Sequence, residues 1–246
     1  MKGRMREMLR RLSNAGAELL FPRGACCLCC GDPRRADEED CLCDKCRRSL
    51  DALRVPPSAC NRCLSPVKQG EGCGFCKSSM MRDINAVYAP YRYRAEARQL
   101  VHACKFLSCD EAAVLLGRET AEALRDTDFD FMTPVPLHPR RLRQRGFNQA
   151  LSLCREISKM TGIPVREALR RDRYVKPQSR TPLEKRKKNV AGAFSCGEDL
   201  QGKKILLVDD VRTGGSTAAE CARALKQAGA EKISLAVSAV VYRKSK

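Results

Sequence analysis

Tryptophan is absent from this 246-residue chain and aromatic residues make up only 5% of it. So few rings argue against extensive base stacking, and any polyanion is expected to be held through its phosphates. Acid is scarce too. Asp and Glu number 29 against 47 Lys and Arg, a formal net charge of +18, far from the balance expected of a protein with no anionic partner. No apolar run of about 18 residues occurs, and the basic N-terminal stretch Met5 to Phe21 is interrupted by Arg6, Glu7, Arg10, Arg11 and Glu18. Neither a secretory signal nor a spanning helix is therefore expected, and a cytoplasmic setting is predicted. The same stretch carries Met5, Met8, Leu9, Leu12, Leu19, Leu20 and Phe21 at helical spacing. It reads as a short amphipathic helix over residues 1–24 that docks on protein, with peripheral attachment at the inner membrane face as the alternative. The chain also lacks GxxxxGK[ST] and GxGxxG, which weakens ATPase and dinucleotide-enzyme readings.

Cysteine is abundant instead. Of 16 cysteines, eleven lie between Cys26 and Cys76, so the first third differs in kind from the remainder. In a reducing compartment such density points to metal rather than disulfides. Four CxxC units follow in order: Cys27/Cys30 or the overlapping Cys26/Cys29, then Cys43/Cys46, Cys60/Cys63 and Cys73/Cys76. Each knuckle puts two sulfurs on one side of a turn, and two knuckles complete the tetrahedron of a structural Zn²⁺. Two zinc ions are expected, in a double ribbon over 25–82. The gaps favour sequential pairing over interleaving. The Cys27/Cys30 frame is preferred because Gly31 then follows the second ligand, where positive φ helps amides turn back toward sulfur. A redox pair or a disulfide knot is the competing reading, but no βαβ context accompanies the CxxC units. Each four-thiolate zinc carries a net −2, so two bring the charge to about +14. Cys104, Cys109, Cys154, Cys196 and Cys221 read as small apolar core residues.

From Ile84 onward, strands and helices alternate. Ile84 to Tyr93 and Phe131 to Val135 read as strands, Ala95 to Phe106, Glu111 to Leu124 and Phe147 to Met160 as helices, with further strands at Ile205 to Asp209 and Ile233 to Tyr242. An α/β domain with a mainly parallel sheet over 83–246 follows. Ligands of such sheets bind beyond the carboxyl ends of the strands.

The most informative stretch is Ile205 to Thr217, ILLVDDVRTGGST. Four apolar residues suit a buried parallel strand, and Ser216 to Gly229 has helical spacing. The turn between them sits at a helix N-terminus, where free amides and the helix dipole bind a phosphate and the hydroxyls of Thr213, Ser216 and Thr217 add hydrogen bonds. Asp209 and Asp210 would repel that phosphate. They suit ribose hydroxyls or Mg²⁺ beside it. A plain turn with acids capping the helix is the bland alternative, but it needs neither two acids nor four small residues. The pattern resembles the signature of type I phosphoribosyltransferases, which bind 5-phosphoribosyl-1-pyrophosphate (PRPP). It departs from that signature at Val211-Arg212 and at Gly214-Gly215, which add a charge and remove a hydroxyl.

Two further segments carry phosphate-binding character. Pro134 to Ala150, PVPLHPRRLRQRGFNQA, holds Arg140, Arg141, Arg143 and Arg145 with no acid, suited to bidentate contact with pyrophosphate. Pro177 to Phe194, PQSRTPLEKRKKNVAGAF, is a basic stretch that could close over a substrate. With the ribbons and the RxLVHxxKF segment Arg98 to Phe106, these words resemble the ComF family of competence-associated proteins. The resemblance implies a double zinc ribbon fused to a type I phosphoribosyltransferase fold, in the cytoplasm, linked to uptake of single-stranded DNA. Carried over by position, it implies that Asp209 and Asp210 hold the ribose hydroxyls. Thr213, Gly214, Gly215, Ser216 and Thr217 would take the 5′-phosphate, with Val211 and Arg212 ahead of them also among the substrate-binding residues. Pro136, Leu137, His138 and Arg140 would face pyrophosphate, Lys105 would be the family's helix lysine, and Gln178, Arg186 and Asn189 would lie in its closing loop. A solvated surface lysine remains an open reading of Lys105, and a packed loop residue of His138. Three functions compete: Mg²⁺-dependent PRPP recognition within DNA uptake, active ribosyl transfer to an unknown acceptor, and a non-catalytic role. The last would be single-strand binding, or a scaffold for an uptake helicase or recombination mediator.

Overall fold

A computed structural model of the chain describes residues 26–33, 41–67, 73–76, 81–106, 109–172 and 191–242. The chain divides into two compact units, Met1–Ala52 and Leu53–Lys246. The first holds helix α1 (Asp44–Asp51), which begins directly after Cys43.

The second unit is an α/β layer structure. Its elements run β1 (Val87–Tyr88), β2 (Tyr91–Arg92), α2 (Ala95–Phe106), α3 (Asp110–Glu122), β3 (Phe131–Pro134), α4 (Pro139–Arg145), α5 (Gln149–Thr161), β4 (Leu169–Arg171), β5 (Phe194–Cys196), β6 (Lys204–Arg212), α6 (Ser216–Gln227) and β7 (Lys232–Val240). All the pairs in the main sheet are parallel, in the order β1-β7-β6-β3 with β2 also on β7. The predicted strand Ile84 to Tyr93 is interrupted, and the reason is Pro90, which has no amide to give to a ladder. The register is kept across the break, with Val87 opposite Leu235 and Tyr91 opposite Ala239.

The central strands β6 and β7 are buried almost end to end, as continuous apolar runs covered on both faces require. Helices α2, α3 and α5 and helix α6 pack on the sheet. Asp210 and Asp209 alternate along β6. Asp210 meets α2 and α5, while Asp209 lies by α6 and the antiparallel β4–β5 pair. Helix α5 is set by an Asn148 cap, whose side chain accepts from the Ala150 amide at 3.1 Å, and by Gly162 in the left-handed region. Gly117 on α3 lets α5 approach closely: a Cβ there would stand 2.4 Å from Glu156 Cβ. Cys104, Cys154 and Cys221 are buried as expected of core cysteines, while Cys109 and Cys196 are half-buried.

Candidate ribose-phosphate site and thiolate clusters

Strand β6 runs three residues further than the apolar pattern predicts, through Arg212, which leaves a loop of only Thr213 to Gly215. Gly215 has φ 78°, a conformation a side chain would strain, and it caps α6. The first intrahelical bond is Ala219 N–H to Gly215 C=O at 2.8 Å. Ahead of it, the amides of Ser216, Thr217 and Ala218 open the helix with no preceding turn to bond to. Thr213 is exposed, Ser216 and Thr217 are half-buried, and Gly214 and Gly215 are buried. The segment has the make-up of an anion cradle at the carboxyl end of a central parallel strand.

The paired acids differ in their surroundings. Asp210 is buried, and its Oδ2 accepts from Gln149 Nε2 at 3.0 Å and pairs with Lys105 Nζ at 2.8 Å. Gln149 is held in turn by Arg145 Nη1 at 2.6 Å. Lys105 thus belongs to a buried network rather than to a solvated face. Among the described residues no such cation is bonded to Asp209. Its Oδ1 accepts the neighbouring Asp210 amide at 2.9 Å. Dense surroundings, although part of the side chain meets solvent, and then the Asp210 charge push the Asp209 carboxyl up to about 7. A carboxyl so placed has an appetite for a cation or a hydroxyl donor, so Asp209 suits the ribose and Mg²⁺ role better than Asp210 does.

Arg171 is a neighbour of the site that sequence reasoning misses. On β4 it stacks 5.2 Å over the Phe194 ring, and its charge reaches Asp209. Burial, then Arg141, pulls its guanidinium below the ordinary range. Nothing in the sequence around it marks this, because the proximity is made by the β4–β5 pairing. The arginine segment after Val135 is not a plain loop either. His138 Nδ1 accepts the Arg140 amide at 3.1 Å and Pro139 takes the first position, so α4 forms, ending at Gly146 with φ 86°. His138 is a helix cap in this fold. Pro136 and Leu137 are half-buried ahead of it, with Arg140 and Arg143 exposed. Gln178, Arg186 and Asn189 lie outside the described residues.

Arg212 requires a correction. Expected among the substrate-binding residues, it is instead buried at 3% exposure, with its guanidinium 4.6 Å over Phe75 and its Nη2 3.3 Å from Ser65 Oγ. Because β6 continues through residue 212, the alternation of the strand turns this side chain away from the loop's cradle.

The cysteines form two groups of four, Cys27, Cys30, Cys43 and Cys46, and Cys60, Cys63, Cys73 and Cys76, with the sulfurs of each group within 4.8 Å of one another. Pairing is sequential, in the Cys27/Cys30 frame. Contacts of 3.7 Å (Cys30 to Cys43), 3.6 Å (Cys60 to Cys76) and 3.4 Å (Cys63 to Cys73) suit the edge of about 3.8 Å that tetrahedral Zn–S bonds of about 2.3 Å require. The clusters fit zinc ribbons. Gly31 has φ 77° after the first knuckle; Leu64, at φ 57°, takes the same conformation after the third. The second cluster is built into the main core, where Cys63, Met81 and Ile84 pack with Val87, Phe131 and Leu235. Arg62, between its first two ligands, donates to the carbonyls of Met81 at 2.7 Å and Ile84 at 2.9 Å. Among the described residues no helix is long and apolar enough to cross a membrane.

Comparison with known proteins agrees with this layout. Residues 147–246 match the phosphoribosyl transferase domain model. The DNA utilization protein YhgH of Escherichia coli K12 is 34% identical over 202 residues, covering 77% of this chain and 86% of that protein. Competence protein F of Haemophilus influenzae is 34% identical over 104 residues, 41% of this chain and 45% of that one. Among solved structures, the glutamine PRPP amidotransferase of B. subtilis aligns at TM-score 0.39 and 22% identity, over 55% of this chain and 30% of that one. A third of the residues shared across most of a DNA-utilization relative, together with a transferase segment that contains the paired acids and their loop, means that the chain belongs to the ComF family.

Proposed function

We propose that this protein recognises PRPP with Mg²⁺ at the carboxyl end of β6, and that it does so as a factor in the handling of single-stranded DNA during uptake. The observation that carries the reading is the strand end itself, where an under-compensated Asp209 stands beside a three-residue loop capped by Gly215. The amides of Ser216 to Ala218 and the hydroxyls of Thr213, Ser216 and Thr217 would take the 5′-phosphate, and Asp209 the ribose hydroxyls. Asp210, tied to Lys105 and Gln149, would hold the strand end rigid. Mg²⁺, when bound with PRPP, would neutralise pyrophosphate charge next to Asp209. Isothermal calorimetry with PRPP and Mg²⁺ tests this. Heat of binding is expected in the parent and its loss in Asp209→Asn; a parent that takes up no PRPP sinks the proposal.

The DNA side of the reading draws on the names of the relatives, which concern DNA utilization and competence, and on the net charge of +18. The exposed Arg140 and Arg143 on α4 supply sequence-independent contacts to phosphates. Ribosyl transfer needs an acceptor, and no aromatic clamp for a base stands at the site among the described residues.

A further inference from the structure

Arg212 is the residue of the signature strand that the ribose-phosphate reading leaves unused. It immediately precedes Thr213, yet its side chain points into the second thiolate cluster's surroundings. The ring it stacks on, Phe75, stands between the ligands Cys73 and Cys76. The hydroxyl it approaches belongs to Ser65, which hydrogen-bonds Cys63 and whose carbonyl accepts the Cys60 amide at 2.9 Å. Its Nε is buried without a partner, and among the described residues it makes no ion pair with a carboxylate. A guanidinium 3% exposed and lacking a carboxylate is expensive unless another anion faces it. The titratable side chains near enough to act on its charge are Cys63, Tyr242, Cys73 and Cys76, of which burial keeps the Tyr242 phenol neutral while zinc binding would make the three cysteines thiolates. Three of those four are ligands of one cluster, and a zinc ion held by four thiolates leaves that cluster at −2.

We propose that Arg212 is the outer charge partner of the second zinc-thiolate cluster, and that through it metal occupancy of that cluster sets the geometry of the adjoining phosphate loop. The inference rests on the zinc assignment and not on PRPP binding. Residue 212 is held from both sides: by the amide of Val241, just past β7, which donates to its carbonyl at 2.9 Å, and by the cluster that attracts its side chain. Losing the anionic cluster would leave a buried cation unpaired one residue from Thr213, so the end of β6 would have to move to hydrate it.

The test uses the full chain in a Cys30→Ser background, which leaves the second cluster as the only complete one, with zinc release to a colorimetric chelator as the readout. Arg212→Met keeps the stem but removes the charge, and Arg212→Lys keeps the charge but loses the fork. Zinc affinity is expected to fall about tenfold to a hundredfold in Arg212→Met, the usual range for loss of an outer partner, and to fall less in Arg212→Lys, whose ammonium keeps a charge beside the −2 cluster but loses the stack on Phe75. Equal loss in both variants, or none in Arg212→Met, would overturn the pairing, and so would a parent with no zinc at this cluster. Hydrogen exchange tests the coupling. Stripping the ion should speed exchange at the Ala219 and Val241 amides, which are bonded to the Gly215 and Arg212 carbonyls, while Leu206 to Val208 stay protected. An unchanged loop, or all of these amides exchanging together, would refute the coupling.

Discussion

Replacing Asp209 with Asn should make the protein more stable at neutral pH, and the gain should vanish in acid. The reasoning starts from the carboxyl pushed from 3.8 to about 7 by burial and by Asp210. With a folded-state pKa above the unfolded one, the folded protein binds more protons between those values. The stability this contributes is present in acid and is lost as pH rises through the folded pKa. At about 1.4 kcal/mol per unit, the window from pH 5.5 to 8 costs the parent about 2 kcal/mol relative to the Asp209→Asn variant. The assay is urea unfolding at half-unit pH steps, in magnesium-free buffer without chelator so that the thiolate clusters keep their ions. The parent's stability relative to the variant should fall across that window, most steeply below pH 7, and 10 mM Mg²⁺ should lessen the fall. Parallel curves for parent and variant would refute the picture of an acid whose ionisation in the folded protein comes at a cost in stability.

Elemental analysis should give two zinc per chain. Cys63→Ser should lower the melting temperature of the Leu53–Lys246 unit by about 10 °C or more, because structural zinc binding is folding free energy and Cys63 lies in the core. Cys30→Ser should leave that transition within about 2 °C; equal drops would contradict the division into units. Gly117→Ala should cost about 1 to 3 kcal/mol in urea unfolding, since its methyl meets Glu156 Cβ at 2.4 Å, and no change would mean that α3 and α5 are less closely packed. For single-stranded DNA, Arg140→Ala with Arg143→Ala should reduce the slope of log affinity against log salt by about two. An unchanged slope would assign these arginines to another ligand.

Much of the architecture could be read from local pattern. The runs at 205–208 and 233–240 are strands because their apolar residues are continuous, and Ala95–Phe106 is a helix with the bounds its periodicity predicts. The knuckle frame was legible for a local reason as well, since Gly31 supplies the positive φ. Where reading failed, the deciding contact was remote or the competing signal faint. Helix α4 hides in an arginine-rich loop until His138 and Pro139 are recognised as its start, and the β4–β5 pair joins residues on either side of a long basic segment.

Composition and spacing by themselves pointed to two four-cysteine ribbons fit for zinc and a mainly parallel α/β sheet, because metal ligation by knuckles and burial of a parallel strand leave marks within a few consecutive residues; the phosphoribosyltransferase-like fold followed from the resemblance of the strand-and-loop motif to a known family. They could not tell the two ribbons apart, nor the two acids, nor the fate of Arg212. Only the tertiary structure decided that the second ribbon is part of the main core, that Asp210 is bound to Lys105 while Asp209 is left poised, and that Arg212 turns from the loop to the thiolates. Each of those depends on which distant side chains supply charge and exclude water at the end of one strand, and no local pattern encodes that.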